Sequence, residues 1–162
     1  MDKHALIAQL VARVRETLRV AEIARDAAEE EARDGATPAE KREDARTALE
    51  FQSLAKGQSQ RVVRARAELS TLDAFSPPER READPVALGA IVEVEHDQGG
   101  LTLFLAPVGA GEELTGPGGD GFLSVVTPAS PIGRAVLGKR TGDTFETRIG
   151  GEIREWTITW VG

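Results

Sequence analysis

The chain has 162 residues, with 27 acidic and 20 basic side chains and a formal net charge of -7. This negative charge disfavours the wrapping of nucleic acid as the main activity. Because the sequence contains no cysteine, a disulfide framework, a thiolate zinc site and a cysteine nucleophile are excluded. No window approaches the ~20 apolar residues of a membrane span, and the amino-terminal segment lacks the apolar run of a signal peptide. We therefore expect a cytoplasmic protein with no membrane partner.

Residues 2–74 have the composition of two long helices. Ala, Glu, Arg and Leu, which are good helix formers, dominate this part of the chain. Small and apolar residues recur there in the seven-residue repeat of helices that pack along one seam. The first series consists of Ile7, Leu10, Val14, Thr17, Ala21, Ala24 and Ala28. The second series consists of Ala48, Phe51, Ala55, Gln58, Val62, Ala65, Leu69 and Leu72.

A reversal of the chain is predicted near residue 35. Gly35 can end the first helix, and Thr37-Pro38-Ala39-Glu40 is a capping box with proline at the first helical position. We predict an antiparallel two-helix coiled-coil hairpin over residues 1–75. Arms of roughly 32 residues would reach about 48 Å at 1.5 Å per residue.

The sequence changes character after residue 75. The prolines between Ser76 and Pro85 cannot continue a helix and predict a linker over residues 76–87. From residue 88 onward, β-branched runs broken by glycines predict strands and one short helix, an α+β domain over residues 88–162. In the last strand, alternation predicts that Trp156, Ile158 and Trp160 face the core. The strands are predicted at Leu88–Glu95, Leu101–Ala106, Phe122–Val126, Thr144–Ile149 and Glu152–Val161.

The short helix is predicted within Ser130–Asp143. Ser130 suits the amino-terminal cap, Pro131 the first helical position, and Gly138 the left-handed residue that follows the helix. An apolar stripe of Ile132, Ala135 and Val136 would face the core, and Ile132 and Leu137 are both expected to be core residues. A charged turn then leads into the next strand.

Charged residues supply the remaining candidates. Asp34 and Glu40 are the acids closest to the predicted reversal, in a region with a surplus of acids. An acid-free basic stretch lower on the second helix is a candidate contact with RNA or with an acidic protein surface, or an ordinary solvated face. It consists of Lys56, Arg61, Arg64 and Arg66. His4 and His96 are isolated and lack metal-ligand spacing.

The segment S-P-I-G-R-A-V-L-G-K, followed by Gly142-Asp143, strongly resembles the carboxy-terminal signature of the Gre transcription elongation factors. The resemblance implies an FKBP-like antiparallel sheet domain with one short helix, which docks on the rim of the secondary channel of bacterial RNA polymerase. It implies that Ser130, Pro131 and Arg134 bind the polymerase. Separately, we expect the protein to be a monomer.

The resemblance also implies what the hairpin does. Its acidic tip would enter the secondary channel, reach nascent RNA indirectly and stimulate cleavage of backtracked RNA. Asp34 and Glu40 are then the catalytic acids, and they would hold a Mg²⁺ ion shared with the active centre of the polymerase, since carboxylates suit this ion. The protein would need no cofactor of its own and would not be an enzyme in isolation.

Three alternatives stay open. The cleavage-competent tip of the family resembles G-D-L-x-E-N, whereas this chain has Asp34-Gly35-Ala36-Thr37-Pro38-Ala39-Glu40. This departure favours a non-cleaving secondary-channel regulator that competes with cleavage factors. A peptidyl-prolyl isomerase would need an aromatic-lined pocket, and the sequence contains no tyrosine. A coiled-coil adaptor would need an exposed apolar stripe on the hairpin, and the alanine-rich seam argues against one.

Overall fold

The computed structural model describes residues 2–34, 43–79, 81, 83–116, 119, 121–149 and 151–162. Only the backbone is described for Asp34, Glu43, Asp44, Ile149 and Glu152. Within these residues the helices are α1 Lys3–Asp34, α2 Glu43–Asp73 and α3 Pro131–Val136. The strands are β1 Ile91–His96, β2 Gly99–Leu105, β3 Glu113–Thr115, β4 Phe122–Val126, β5 Thr144–Ile149 and β6 Glu152–Val161.

The contacts divide the chain into two compact units. The sheet unit consists of Met1–Val11 together with Thr71–Gly162, and the helical unit consists of Ala12–Ser70. Each unit boundary falls inside a helix, because α1 continues past Val11 and α2 continues past Ser70. The predicted linker contributes to the sheet unit, since Val86 is 1% exposed and belongs to its hydrophobic core.

The helical unit has the predicted seam, except that Thr17 is exposed. The seam residues Val14, Ala21 and Ala28 of α1 are buried, and so are Ala55, Val62 and Ala65 of α2. Residues near the end of α1 and in the first part of α2 line one groove, which consists of Glu29, Ala32, Arg33, Gln52, Ala55, Lys56 and Ser59. Further along α2, Arg66 pairs with Glu22, which lies earlier in α1. The antiparallel arrangement of α1 and α2 is therefore confirmed.

The reversal itself and the capping box of Thr37–Glu40 lie outside the described residues. None of the helices in the described ranges combines the length and the apolar character that crossing a bilayer requires.

The sheet is mixed, which corrects the predicted antiparallel sheet. Its six strands follow the order β3-β4-β2-β1-β6-β5. Four neighbouring pairs are antiparallel, and the pair of β2 and β4 is parallel. The chain reverses once between β2 and β3 and again between β3 and β4, so β4 regains the direction of β2. Gly109 and Gly111, with φ of 87° and 91°, lie in the first reversal.

The predicted strand bounds agree with the structure for three strands and differ for two, and one short strand was not predicted. β4, β5 and β6 have the predicted bounds. β1 begins three residues later than predicted and β2 two residues earlier, at Ile91 and Gly99. β3 was not predicted, because its three residues contain a single apolar side chain, Leu114, and give no alternation to detect.

One face of the sheet forms the core beneath α3. Val136 of α3 is fully buried there, and Ile132 and Ala135 pack against the same cluster, as predicted. The buried residues of this cluster are Val86, Ala90, Val92, Val94, Leu103, Leu105, Val126, Val136, Phe145, Trp156, Ile158 and Val161.

A bulge in β6 removes Trp160 from this core. Glu93 of β1 pairs with Trp160, whereas the next residue, Val94, pairs with Ile158, so Thr159 is an extra residue in the ladder. Trp156 and Ile158 face the core as predicted, but beyond the bulge the inward position passes to Val161, which is fully buried. The prediction that Trp160 faces the core is wrong, because a bulge breaks the period of two.

Replacement of Ile158 by alanine should destabilise the sheet unit strongly. Ile158 is fully buried, so Ile158→Ala should lower the free energy of unfolding by about 2–5 kcal/mol. Ile153 of the same strand is 65% exposed, and Ile153→Ala is the matched control, with an expected loss below about 1 kcal/mol. Urea unfolding measures both, and similar losses would contradict the described inward face of β6.

Candidate functional site

The amino end of α3 is held by the hydroxyl of Ser130. Its Oγ accepts from the backbone N–H of Gly133 at 3.1 Å and from that of Thr127 at 3.2 Å. The same hydroxyl donates to the Thr127 carbonyl at 2.8 Å. Ser130 has the extended backbone of a helix cap, with φ of -72° and ψ of 153°, and Pro131 follows as predicted. The predicted cap is confirmed, and the hydroxyl is engaged within the protein.

Gly133 allows the first turn of α3 to approach the preceding loop closely. A Cβ atom added to Gly133 would lie 1.9 Å from the carbonyl oxygen of Thr127, a backbone atom with little freedom to move. Gly133 is buried, and its N–H already bonds to Ser130. Glycine is therefore required at this position by space, although its helix propensity is poor.

The outer side of α3 presents two predicted site residues and one unexpected one. Pro131 and Arg134 are exposed. The Arg134 guanidinium donates from Nη1 to the carbonyl of Ala129 at 2.7 Å, which holds the side chain beside the cap. Leu137 is 44% exposed, so the prediction that it is a core residue is wrong. The helix ends at Val136, and Leu137 leaves the apolar stripe because its backbone is no longer helical.

The chain after α3 is bound to the segment that precedes β1. Gly138 has the predicted left-handed backbone, with φ of 79°. Its N–H donates to the Val86 carbonyl at 2.8 Å, and the Val86 N–H donates to the Lys139 carbonyl at 2.7 Å. Arg140 donates from Nη1 to the carbonyl of Ala83. These bonds hold both ends of the segment 130–143 in place, so its outer side chains have a rigid support.

The predicted basic stretch is not gathered into one patch. All four of its side chains are exposed. At about 100° per residue around the axis of α2, Lys56 and Arg66 lie on different sides from Arg61. Arg64 pairs with Glu68 at 3.0 Å, and Arg66 pairs with Glu22 of α1 at 2.7 Å. Lys56 and Arg61 form no ion pair with the described residues. Their role in binding RNA or protein stays a prediction.

The predicted tip acids lie largely outside the described residues. Asp34 is the last residue of α1, and its side chain is not described, while Glu40 falls in the undescribed range. No group of three or more metal-ligating side chains occurs among the residues whose positions are described. The roles of Asp34 and Glu40 therefore stay predictions.

Two acids of α1 form hydrogen-bonded ion pairs with arginines of the same helix. Arg19 donates to Glu16 at 2.6 Å, and this hydrogen bond lowers the pKa of the Glu16 carboxyl. Arg25 donates to Asp26 at 2.7 Å, and this hydrogen bond raises the pKa of Arg25. Both pairs lie on the surface, where solvent and salt weaken them. These pairs affect the surface charge of α1 and contribute little to its stability.

The aromatic residues bear on the isomerase alternative. Trp156, Phe104 and Phe145 are buried, and Trp156 contacts the ring of His96 edge to face, with centroids 4.3 Å apart. Phe122 is 73% exposed at the outer end of β4. Phe145 and Trp156 belong to the buried cluster beneath α3, so the space between α3 and the sheet is occupied by the core itself.

The surface of the helical unit bears on the adaptor alternative. Val20 and Ile23 of α1 are 51% and 57% exposed, at a spacing that places them on one side of the helix. On α2, Leu49, Leu54 and Val63 are also exposed. Because the seam is rich in alanine, we expected no exposed apolar stripe on the hairpin. Val20 and Ile23 form a short exposed stripe that lies outside this seam.

Sequence reasoning missed Gln9, which binds the edge of the sheet. Its side-chain amide makes two hydrogen bonds to the backbone of Thr115, each 2.9 Å long. Gln9 and Thr115 are 106 positions apart, and no local pattern connects them. A glutamine beside the apolar seam of α1 was the only visible signal.

Comparison with known proteins gives a family match. The sequence model of the family described as "Transcription elongation factor, GreA/GreB, C-term" matches residues 81–162. A relative, the transcription elongation factor GreA of Verminephrobacter eiseniae (strain EF01-2), is 30% identical over 101 residues. The matched part is 62% of this chain and 60% of that relative, so the chain matches less than two thirds of the relative's length.

Solved structures of similar proteins come from several bacteria. The GreA factor homolog 1 (Gfh1) protein of Thermus thermophilus aligns with a TM-score of 0.38 and 20% identity, covering 98% of this chain and 94% of that one. A GreA/GreB protein from Nitrosomonas europaea aligns with a TM-score of 0.36 and 22% identity, covering 59% of this chain and 74% of that one.

Alanine at position 133 should be poorly tolerated, in contrast to alanine at another helical glycine. The added Cβ of Gly133→Ala would meet the Thr127 carbonyl at 1.9 Å, so we expect a loss of at least about 2 kcal/mol in unfolding free energy. Gly57→Ala is the control, because Gly57 is an exposed residue of α2 with nothing within 4 Å of such an atom. It should stabilise by about 0.5–1 kcal/mol. Thermal unfolding of both variants distinguishes the effect of the steric contact on stability from the effect of helix propensity.

Proposed function

Because the chain belongs to the GreA/GreB family of transcription elongation factors, we propose that it binds bacterial RNA polymerase and acts through the secondary channel. The sheet unit docks on the rim of the channel, and the acidic tip of the two-helix hairpin enters it. The family match carries this proposal, because residues 81–162 contain the complete α3 segment.

The chemistry of the α3 segment supports docking. Residues 129–142 contain three basic residues and no acid, in a chain whose net charge is -7. Pro131 and Arg134 are exposed on this segment, which therefore offers a small apolar and basic surface to an acidic partner. Ser130 contributes indirectly, since its hydroxyl is bonded to Thr127 and Gly133 and positions its two neighbours.

The helical part supports delivery of acids into a narrow space. α1 and α2 contain 32 and 31 residues, and small seam residues such as Ala21, Ala28 and Ala55 let two helices pack closely. Glu30 and Glu31 are exposed near the end of α1, shortly before Asp34. In this proposal Asp34 and Glu40 would hold a Mg²⁺ ion together with the polymerase, and the ion would activate a water for cleavage of backtracked RNA.

A second candidate is a regulator that occupies the same channel without cleavage. It is favoured by the sequence between Asp34 and Glu40, which lacks the G-D-L-x-E-N pattern of cleavage-competent tips. Both candidates share the docking step and differ in the chemistry at the tip. The chain would act through the polymerase in either case and not as an enzyme by itself.

Charge reversal on α3 should weaken association with core RNA polymerase. Arg134 is exposed and donates to the Ala129 carbonyl on the surface, so Arg134→Glu should preserve folding. We expect the dissociation constant to rise about 10-fold or more, because an acid would face an acidic surface. Arg148→Glu, on exposed Arg148 of β5, is the control and should bind like the wild type. No association of the wild-type protein at micromolar concentration would remove the proposal.

A stalled, backtracked elongation complex should separate the two candidates. If the tip supports cleavage, the protein shortens the RNA, and Asp34→Ala or Glu40→Ala slows shortening about 100-fold without loss of binding. Asp73→Ala, at the other end of α2, should leave the rate unchanged. A regulator without cleavage would instead leave the RNA intact and slow shortening by an added cleavage factor. Unchanged shortening in both tip variants would exclude these two carboxylates.

A further inference from the structure

Gln9 completes the edge of the sheet with its side chain. β3 is the outermost strand on one side, and there Thr115 is paired with Phe122 of β4. Gln9 Nε2 donates to the Thr115 carbonyl, and the Thr115 N–H donates to Gln9 Oε1, both at 2.9 Å. A primary amide carries one acceptor oxygen and donor hydrogens in nearly the arrangement of a peptide group. The Gln9 side chain therefore takes the place of one residue of a neighbouring strand.

The residue after Gln9 adds a contact of a different kind. Leu10 is fully buried and lies against Gly109, in the reversal between β2 and β3. A Cβ atom at Gly109 would come within 2.6 Å of Leu10 Cδ1, and the φ of 87° at Gly109 also suits glycine. One turn earlier, Leu6 is fully buried in the same unit. The two hydrogen bonds of Gln9 and the apolar contacts of Leu10 together hold the first turns of α1 against the sheet.

We propose that Gln9 is a positioning residue for the action of the hairpin tip. α1 runs without interruption from Lys3 to Asp34, so the helix that Gln9 attaches to β3 is the helix that carries the tip acid. The proposal rests on the proposed function for what the tip does. It assigns to Gln9 a task distinct from docking, because the docking residues lie on α3. Loss of the clamp should leave polymerase binding intact and weaken the action of the tip.

The clamp is tested first by amide hydrogen exchange in the full chain. In Gln9→Ala the Thr115 N–H loses its acceptor and should exchange about 5- to 10-fold faster, the factor of a typical net hydrogen bond. In Gln9→Glu the acceptor remains, so Thr115 stays protected, while its carbonyl loses the Nε2 donor. The Ile158 N–H, bonded to the Asp143 carbonyl at 2.9 Å and lying in β6 away from β3, is the control and should not change.

The functional test compares binding with tip action for the same variants. We expect Gln9→Ala to bind polymerase within about 2-fold of the wild type and to lose about 5- to 10-fold in cleavage, or in inhibition of an added cleavage factor. Gln9→Glu should fall between the two. Gln60→Ala, at an exposed glutamine of α2, is the matched control and should behave as the wild type.

Each failure has a separate meaning. Faster exchange at Thr115 with unchanged tip action would overturn the positioning role, as would unchanged exchange or an equal loss in Gln60→Ala. A parallel loss of binding in Gln9→Ala would also overturn it, because docking would then depend on the clamp. Failure of the wild-type protein to bind polymerase would instead refute the proposed function, and the exchange experiment would still report on the clamp.

Discussion

The sheet must bury side chains on both of its faces, and the rest of the structure follows from this constraint. Leu103 and Leu105 of β2 belong to the core beneath α3, while the intervening Phe104 is equally buried and points to the other face. A strand buried on both sides needs a cover on both sides. α3 lies on the first face. Fully buried Leu6, Leu10 and Leu72 belong to the same unit but not to the cluster beneath α3, so the ends of α1 and α2 are available to the second face.

This constraint explains why the first turns of α1 and the last turn of α2 belong to the sheet unit. Complete burial of a leucine side chain contributes about 1.5–3 kcal/mol, and each helix end supplies at least one such residue to the sheet unit. The unit boundaries at Val11 and Ser70 lie within helices for the same reason.

The α3 segment uses different atoms for its inward packing and for its outer surface. The hydroxyl of Ser130 and the missing side chain of Gly133 hold the turn against the Thr127 carbonyl. Pro131, Arg134 and Leu137 project outward from that turn. The inward atoms hold the turn in place, and in the proposed function the outward side chains would contact the polymerase. A motif of this kind is informative in a sequence because its two sets of residues are constrained by unrelated requirements.

Local chemistry in the sequence determined much of this protein. The capping serine, the proline after it and the left-handed Gly138 predicted α3. Heptad spacing together with the predicted reversal near residue 35 predicted the antiparallel pair of α1 and α2. These signals depend on residues close in sequence. The bounds of β4, β5 and β6 followed from β-branched runs between glycines. Only the tertiary structure decided the parallel pair of β2 and β4, the short β3, the exchange of Trp160 for Val161 at the bulge, the exposure of Leu137 and the clamp of Gln9 on Thr115. The exposure of Leu137 follows from where α3 ends. The others depend on which distant strand or helix lies alongside, and strand pairing and burial are set by neighbours in space that a linear pattern does not contain.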